Sequence, residues 1–143
     1  MTEVQNTIEL HIPSIMGFEK VAMESVAAAA NMMGFHPSRI DDLKTAISEA
    51  CINAIEHGNR CKKDTKVLVT LKIDKKSLEV NIKDQGKGIK KKIKEPKIEK
   101  QINGDQDVSG WGIFLIKRLV DEVEFKKMPK GGNVTRMVIH MDR

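Results

Sequence analysis

A chain of 143 residues and 16.1 kDa is one domain of ordinary size, long enough for a real core and too short for a catalytic domain joined to a receiver, sensor or dimerisation module. With 40% apolar and 31% charged residues it reads as a soluble globular protein, and one Trp, four Phe and no Tyr exclude a protein that works mainly by stacking bases or sugars on aromatic platforms. The 25 basic and 20 acidic residues leave a net charge of +5, but seven lysines fall in the single segment 87–100, which weakens the case for a nucleic-acid-binding stripe spread over several elements.

Residues 6–12 alternate, with Ile8, Leu10 and Ile12 on one side and Thr7, Glu9 and His11 on the other, which predicts an opening strand. Pro13-Ser14 breaks it and offers a cap for a helix over about 16–33, where Ala27 to Ala30 give strong helical propensity and Gly34 is the stop. Pro37 and Ser38 start a second helix, with Asp41 three residues beyond Ser38 in a capping-box-like arrangement. Its buried stripe is Ile40, Leu43, Ile47, Ala50, Cys51, Ala54 and Ile55, and Gly58 ends it.

Two runs at period two, 67–73 and 78–82, flank the turn Asp74-Lys75-Lys76 and predict a hairpin. Residues 123–127 and 134–141 repeat the pattern around Gly131-Gly132, with a short helix from Gly112 to about Leu119 before them. The fold class is an α/β two-layer sandwich: a mixed, mostly antiparallel sheet with helices packed on one face. The polar, lysine-rich residues 87–109 are too long for an ordinary connection and are expected to form a lid.

No run approaches the roughly 18 apolar residues that span a bilayer, and the first ten residues show no basic region feeding an apolar one, so a cytoplasmic location is expected. Cys51 and Cys61 lack metal-ligand spacing, and Cys51 falls on the core stripe. Met16, Met23, Met32 and Met33 occupy helical positions suited to core or interface packing, and Trp111 to anchoring a helix start.

Chemistry is concentrated in three places. Glu49, Asn53 and Glu56 share one face of the second helix, beside the apolar stripe. Asp84-Gln85-Gly86-Lys87-Gly88 follows a strand, setting a carboxylate at the strand end and two glycines where a ligand can approach the backbone. Ser109-Gly110-Trp111-Gly112 opens a helix whose free N–H groups suit a phosphate. Each feature alone is explained almost as well by a solvated helix face or a plain turn. Neither a G-x-x-x-x-G-K-S/T loop nor a dinucleotide G-x-G-x-x-G fingerprint is present.

The order of the motifs is specific: E-x-x-x-N on a helix, a hairpin ending in D-x-G-x-G, a lysine-rich segment, G-x-G opening a helix, then a glycine turn with Thr135 in the last strand. In that order the chain resembles the ATP-binding domain of the GHKL superfamily, the Bergerat fold, and most closely the small anti-sigma-factor serine/threonine kinases. The resemblance covers nearly the whole length, 1–143, as a single histidine-kinase-like domain. It implies ATP or ADP and Mg²⁺ as ligands, Asn53 as the magnesium ligand and Glu49 as the general base. It further implies Asp84 as the acceptor for the adenine amine, with Gly86 and Gly88 keeping that wall bare. Gly110 and Gly112 match the glycines that let the lid close over the phosphates, and Thr135 is expected near the base or its bound water.

The resemblance also implies the partners: an anti-sigma-factor antagonist as phosphoacceptor, a sigma factor held inactive, and a second copy in a homodimer, with no direct contact to nucleic acid or membrane. Three departures bear on partner recognition. Val108 stands where these kinases often carry arginine, Gly132-Asn133 where they usually have Gly-Thr, and the lid is unusually rich in lysine. Two other readings compete. One is an ATP-dependent interaction switch that transfers no phosphate at useful rates, against which Glu49 argues. The other is a basic nucleic-acid-binding domain, which predicts steep salt dependence and indifference to ATP.

Overall fold

The computed structural model describes residues 6–86 and 108–142. Five strands, β1 (Asn6–Pro13), β2 (Lys66–Ile73), β3 (Ser77–Lys83), β4 (Glu122–Lys127) and β5 (Asn133–His140), form one sheet in the order β1-β2-β3-β5-β4. All four pairings are antiparallel. Helices α1 (Glu19–Met33), α2 (Pro37–Ile52) and α3 (Val108–Leu119) accompany it, and α2 runs on into a π-helical turn, π1 (Asn53–Gly58). Both hairpins anticipated from the period-two runs are present within a residue or two of the expected bounds.

Strand alternation divides the sheet into two unlike faces. Val67, Val69 and Leu71 of β2, Leu78, Val80 and Ile82 of β3, and Met137 and Ile139 of β5 are buried in one core with Val26 of α1, Leu43, Ile47 and Cys51 of α2, and Ile116 of α3. The opposite face carries Lys72, Glu79, Glu122, Glu124 and Arg136. There Arg136 lies 3.1 Å from Glu124, 3.2 Å from Glu79 and 3.7 Å from Glu122, and Asn81 Nδ2 donates to Glu79 at 2.8 Å. Burial pushes the Glu79 carboxyl up, but the bonds from Asn81 and Arg136 outweigh it and leave it below its ordinary value.

Both helix starts differ from expectation. Ser14 does not cap α1: Gly17, at φ +112°, inserts a further turn, and α1 begins at Glu19, whose carboxylate accepts the Gly17 N–H at 2.7 Å. Ser38 and Asp41 do not form a capping box on α2. Pro37, with φ preset, takes the first helical position, so the cap falls one residue earlier, on His36, whose Nδ1 accepts the Ser38 N–H at 3.1 Å. Gly34 ends α1 as expected, in the left-handed conformation. Met23 and Met33 pack against the core, whereas Met16 and Met32 are exposed.

Helix α3 begins a turn earlier than the expected Gly112, at Val108, so Gly110 and Gly112 are both helical. The residues assigned to the lid, including Gly88, lie outside the described part except for 108 and 109, which belong to α3. No helix among the described residues is long and apolar enough to cross a membrane.

Candidate functional site

The site grows from the polar side of α2. Burial of Leu43, Ala46, Ile47, Ala50 and Cys51 fixes the helix's rotation, so Glu49 and Asn53, four residues apart, stand together beside that stripe. They meet α3 at Gly112: a β-carbon there would lie 3.2 Å from both Glu49 Oε2 and Asn53 Nδ2, and 3.7 Å from Asn53 Oδ1. Only a glycine leaves these two side chains their present positions under the first turns of α3. The Asn53 amide oxygen is a hard donor of the kind Mg²⁺ takes, the Glu49 carboxylate beside it is suited to accepting a proton, and the nearby helix N-terminus carries partial positive charge. Glu56 and His57, on π1, are exposed and lie 3.7 Å from each other.

At the far end of the same helix a second cluster surrounds Asp84. In π1 the hydrogen bonds widen, with Asn59 N–H donating to Ala54 O at 2.8 Å, and Gly58 is brought flush against the Asp84 carboxylate, which occupies the space a β-carbon at 58 would need. Asp84 N–H donates to Asn133 O at 3.0 Å, continuing the ladder one step beyond β3. In return Asp84 Oδ1 accepts Asn133 N–H at 3.0 Å and Asn133 Nδ2 at 3.3 Å. A β-carbon at Gly86 would lie 2.6 Å from Asp84 Oδ1 and 3.1 Å from Gly132 Cα, and one at Gly132 would overlap the Asp84 carbonyl.

Three glycines, Gly58, Gly86 and Gly132, thus let backbone pack directly against the buried Asp84, in space that a β-carbon at any of them would contest. Burial pushes the Asp84 pKa up, and the bonds from Asn133 and the Gly86 backbone offset this only in part. An ionised carboxylate has about four acceptor positions, so the three protein bonds leave capacity for a donor on a flat ligand. At 1.5 Å rise per residue, Glu49 and Gly58 stand roughly 12–14 Å apart along one helix. One helical rod therefore carries Glu49 and Asn53 near one end and abuts the Asp84 carboxylate with Gly58 at the other.

Comparison with known proteins decides the family. The profile of the histidine kinase-like ATPase domain matches residues 19–139. The chain belongs to the histidine kinase-like ATPase family. Within this GHKL-type family it is closely related to the RsbW-type anti-sigma-factor kinases. It is 32% identical over 130 residues to the serine-protein kinase RsbW of Bacillus pumilus, covering 87% of this chain and 80% of that protein. It is 28% identical over 128 residues to the RsbW of Listeria innocua, covering 87% and 82%. A crystal structure of the RsbU and RsbW domains of Rv1364c from Mycobacterium tuberculosis shares the fold, with a TM-score of 0.66 and 18% identity over 94% of this chain and 32% of that one. The domain is an ATP-dependent kinase of this general class, and the expected Bergerat-type architecture is the one observed.

Of the residues picked out from the sequence of this GHKL-type domain, Glu49, Asn53 and Gly112 come together at one end, and Asp84 and Gly86 at the other. Gly110 lies in the first turn of α3. Thr135 pairs with Ile82 and Phe125 on the core side of β5, two residues along from the side chain that meets Asp84, which is Asn133. Sequence reasoning missed Asn133, Gly132 and Gly58 as parts of the cluster around Asp84. Gly132, directly before Asn133, was the available signal, since backbone packed against the Asp84 carbonyl needs a bare position there.

Proposed function

We propose that this domain transfers the γ-phosphate of ATP to a serine or threonine hydroxyl of a small anti-sigma-factor antagonist, and that it binds a sigma factor when that antagonist is absent or already modified. The observation that carries the reading is the convergence of Glu49 and Asn53 on Gly112, which brings together, beside the first turns of α3, a carboxylate suited to act as a base and an amide suited to a metal. The similarity to serine-protein kinases named RsbW, over most of both chains, supports the same reading.

In this reading Asp84 accepts the adenine amine, and Gly58, Gly86 and Gly132 let the backbone close around Asp84 and hold its carboxylate in place. Asn53 offers its amide oxygen to Mg²⁺, which when bound neutralises charge on the phosphates. Glu49 takes the proton from the acceptor hydroxyl as the hydroxyl oxygen attacks the γ-phosphorus and the bond from that phosphorus to the β,γ-bridging oxygen breaks, with ADP leaving; the N–H groups of the first turn of α3 stabilise charge on the phosphoryl oxygens. Glu49 then returns that proton to solvent. Gly88 and Gly110 serve nucleotide binding as well, Thr135 acts near the base or its bound water, and a second copy of the chain forms a homodimer in the cytoplasm.

The test is labelling of a source-cell extract with γ-labelled ATP and Mg²⁺ in the presence of the wild type. A small labelled protein with acid-stable phosphoserine or phosphothreonine is the expected product. No labelled protein, with ATP binding confirmed in parallel, would replace this reading by a nucleotide-dependent interaction switch.

A further inference from the structure

Asn59, directly after Gly58, is 4% exposed and uses its whole side chain within the protein. Its Nδ2 donates to Ser14 Oγ at 2.9 Å and to Lys66 O at 3.1 Å, and its Oδ1 accepts the Gln85 N–H at 2.7 Å. These partners belong to three segments: the residue after β1, the first residue of β2, and the turn that leaves β3. The same turn is held once more by Lys66 N–H donating to Gln85 Oε1 at 2.6 Å.

The peptide groups on either side of the Asp84 Cα are therefore both anchored. Asp84 N–H is held by Asn133 O at 3.0 Å, and the next N–H, that of Gln85, by Asn59 Oδ1. Together they set the direction in which the Asp84 side chain leaves the backbone. Gly58 sits against that side chain, so the residue holding the turn and the one shaping its neighbour are adjacent in the chain. Without the Asn59 amide, Gln85 N–H and Ser14 Oγ each lose a partner, and the peptide after Asp84 is free to turn toward another acceptor.

We infer that Asn59 is a positioning residue for base recognition: it holds the Asp84-Gln85-Gly86 turn so that the Asp84 carboxylate meets the amino group of an adenine. The inference rests on the role proposed above for Asp84, and it adds a residue that touches no nucleotide. Asn59 stands at the opposite end of π1 from Asn53, so its effect belongs to base binding and not to the transfer step.

The experiment measures equilibrium binding of ATP and of purine riboside triphosphate, which carries hydrogen in place of the 6-amino group, to the full chain with Mg²⁺. A hydrogen bond to a charged acceptor predicts that the wild type prefers ATP by about tenfold to a hundredfold. Asn59→Ala is expected to cut that preference to below about threefold by weakening ATP, with the analogue's affinity changed less than about twofold. A merely structural role would weaken both nucleotides by the same factor and leave the ratio intact, and that result overturns the inference. Should Asn59→Ala not fold, Ser14→Ala removes one partner of the amide and is expected to lower the ratio at least about twofold; an unchanged ratio there overturns it equally. Asp84→Ala separates the two claims. If it erases the preference while Asn59→Ala keeps it, the inference alone fails; if it retains the preference, or the wild type has none, the role of Asp84 fails and the inference with it.

Discussion

Substituting Gly112 by alanine tests the geometry of the site with one methyl group. The new β-carbon would stand 3.2 Å from both Glu49 Oε2 and Asn53 Nδ2, so each side chain must give by a few tenths of an ångström. Both can rotate away, so the fold survives. Gly112 is inside α3, where alanine is favoured over glycine by about 1 kcal/mol, which offsets the crowding. The melting temperature is therefore expected to stay within roughly 4 °C of wild type. Phosphotransfer responds differently, because displacing catalytic groups by a fraction of an ångström to one ångström costs about 10- to 100-fold in rate. The assay pairs thermal unfolding with single-turnover transfer from γ-labelled ATP at saturating nucleotide. Refutation comes from a variant that melts normally and transfers at the wild-type rate, since Gly112 would then not be shaping the pair Glu49 and Asn53.

Gly58→Ala is expected to cost about 1–3 kcal/mol, seen as a lower denaturant midpoint, because its β-carbon falls inside the Asp84 carboxylate and Asn133 pins that group in place; a midpoint equal to wild type contradicts the packing. The Asp84 carboxyl is held above its ordinary value by burial, so the folded chain binds this proton more tightly than the unfolded one, and stability falls as pH rises from the ordinary value through the raised one. Asp84→Asn should accordingly melt higher than wild type at neutral pH and lose that advantage below about pH 4, and a melting difference that does not change with pH rules this out. Burial also pushes the Cys51 thiol up to about 12, whereas Cys61 is exposed. A thiol-reactive chromophore should count one cysteine in the native protein and two in denaturant; two fast-reacting thiols in the native state would refute the burial of Cys51.

The parts of the fold governed by local rules were legible in the sequence. Period-two alternation found both hairpins, the Ala-rich run found α1, and Gly34 ended it as a left-handed residue. The errors arose where one local device displaced another: Pro37 moved the α2 cap to His36, and Gly17 delayed α1 and released Ser14 to the Asn59 cluster. At the site, helical spacing correctly joined Glu49 to Asn53. It could not foresee π1, whose wider turn depends on tertiary contacts and brings Gly58 against Asp84. Asn133 was missed for a related reason. Which residue of a glycine turn reaches across to a strand end depends on the β3–β5 register, where Lys83 pairs with Val134, and composition does not encode that offset.

The most direct test of the account compares wild type with Glu49→Gln, measuring ATP affinity and γ-phosphate transfer to the acceptor protein in the same preparations. Glutamine preserves the shape beside Asn53 and Gly112 but cannot accept the hydroxyl proton. The account predicts ATP binding within about threefold of wild type and transfer reduced by about 10²–10⁴-fold, the usual contribution of a positioned base. Transfer that persists at the wild-type rate in Glu49→Gln would contradict it.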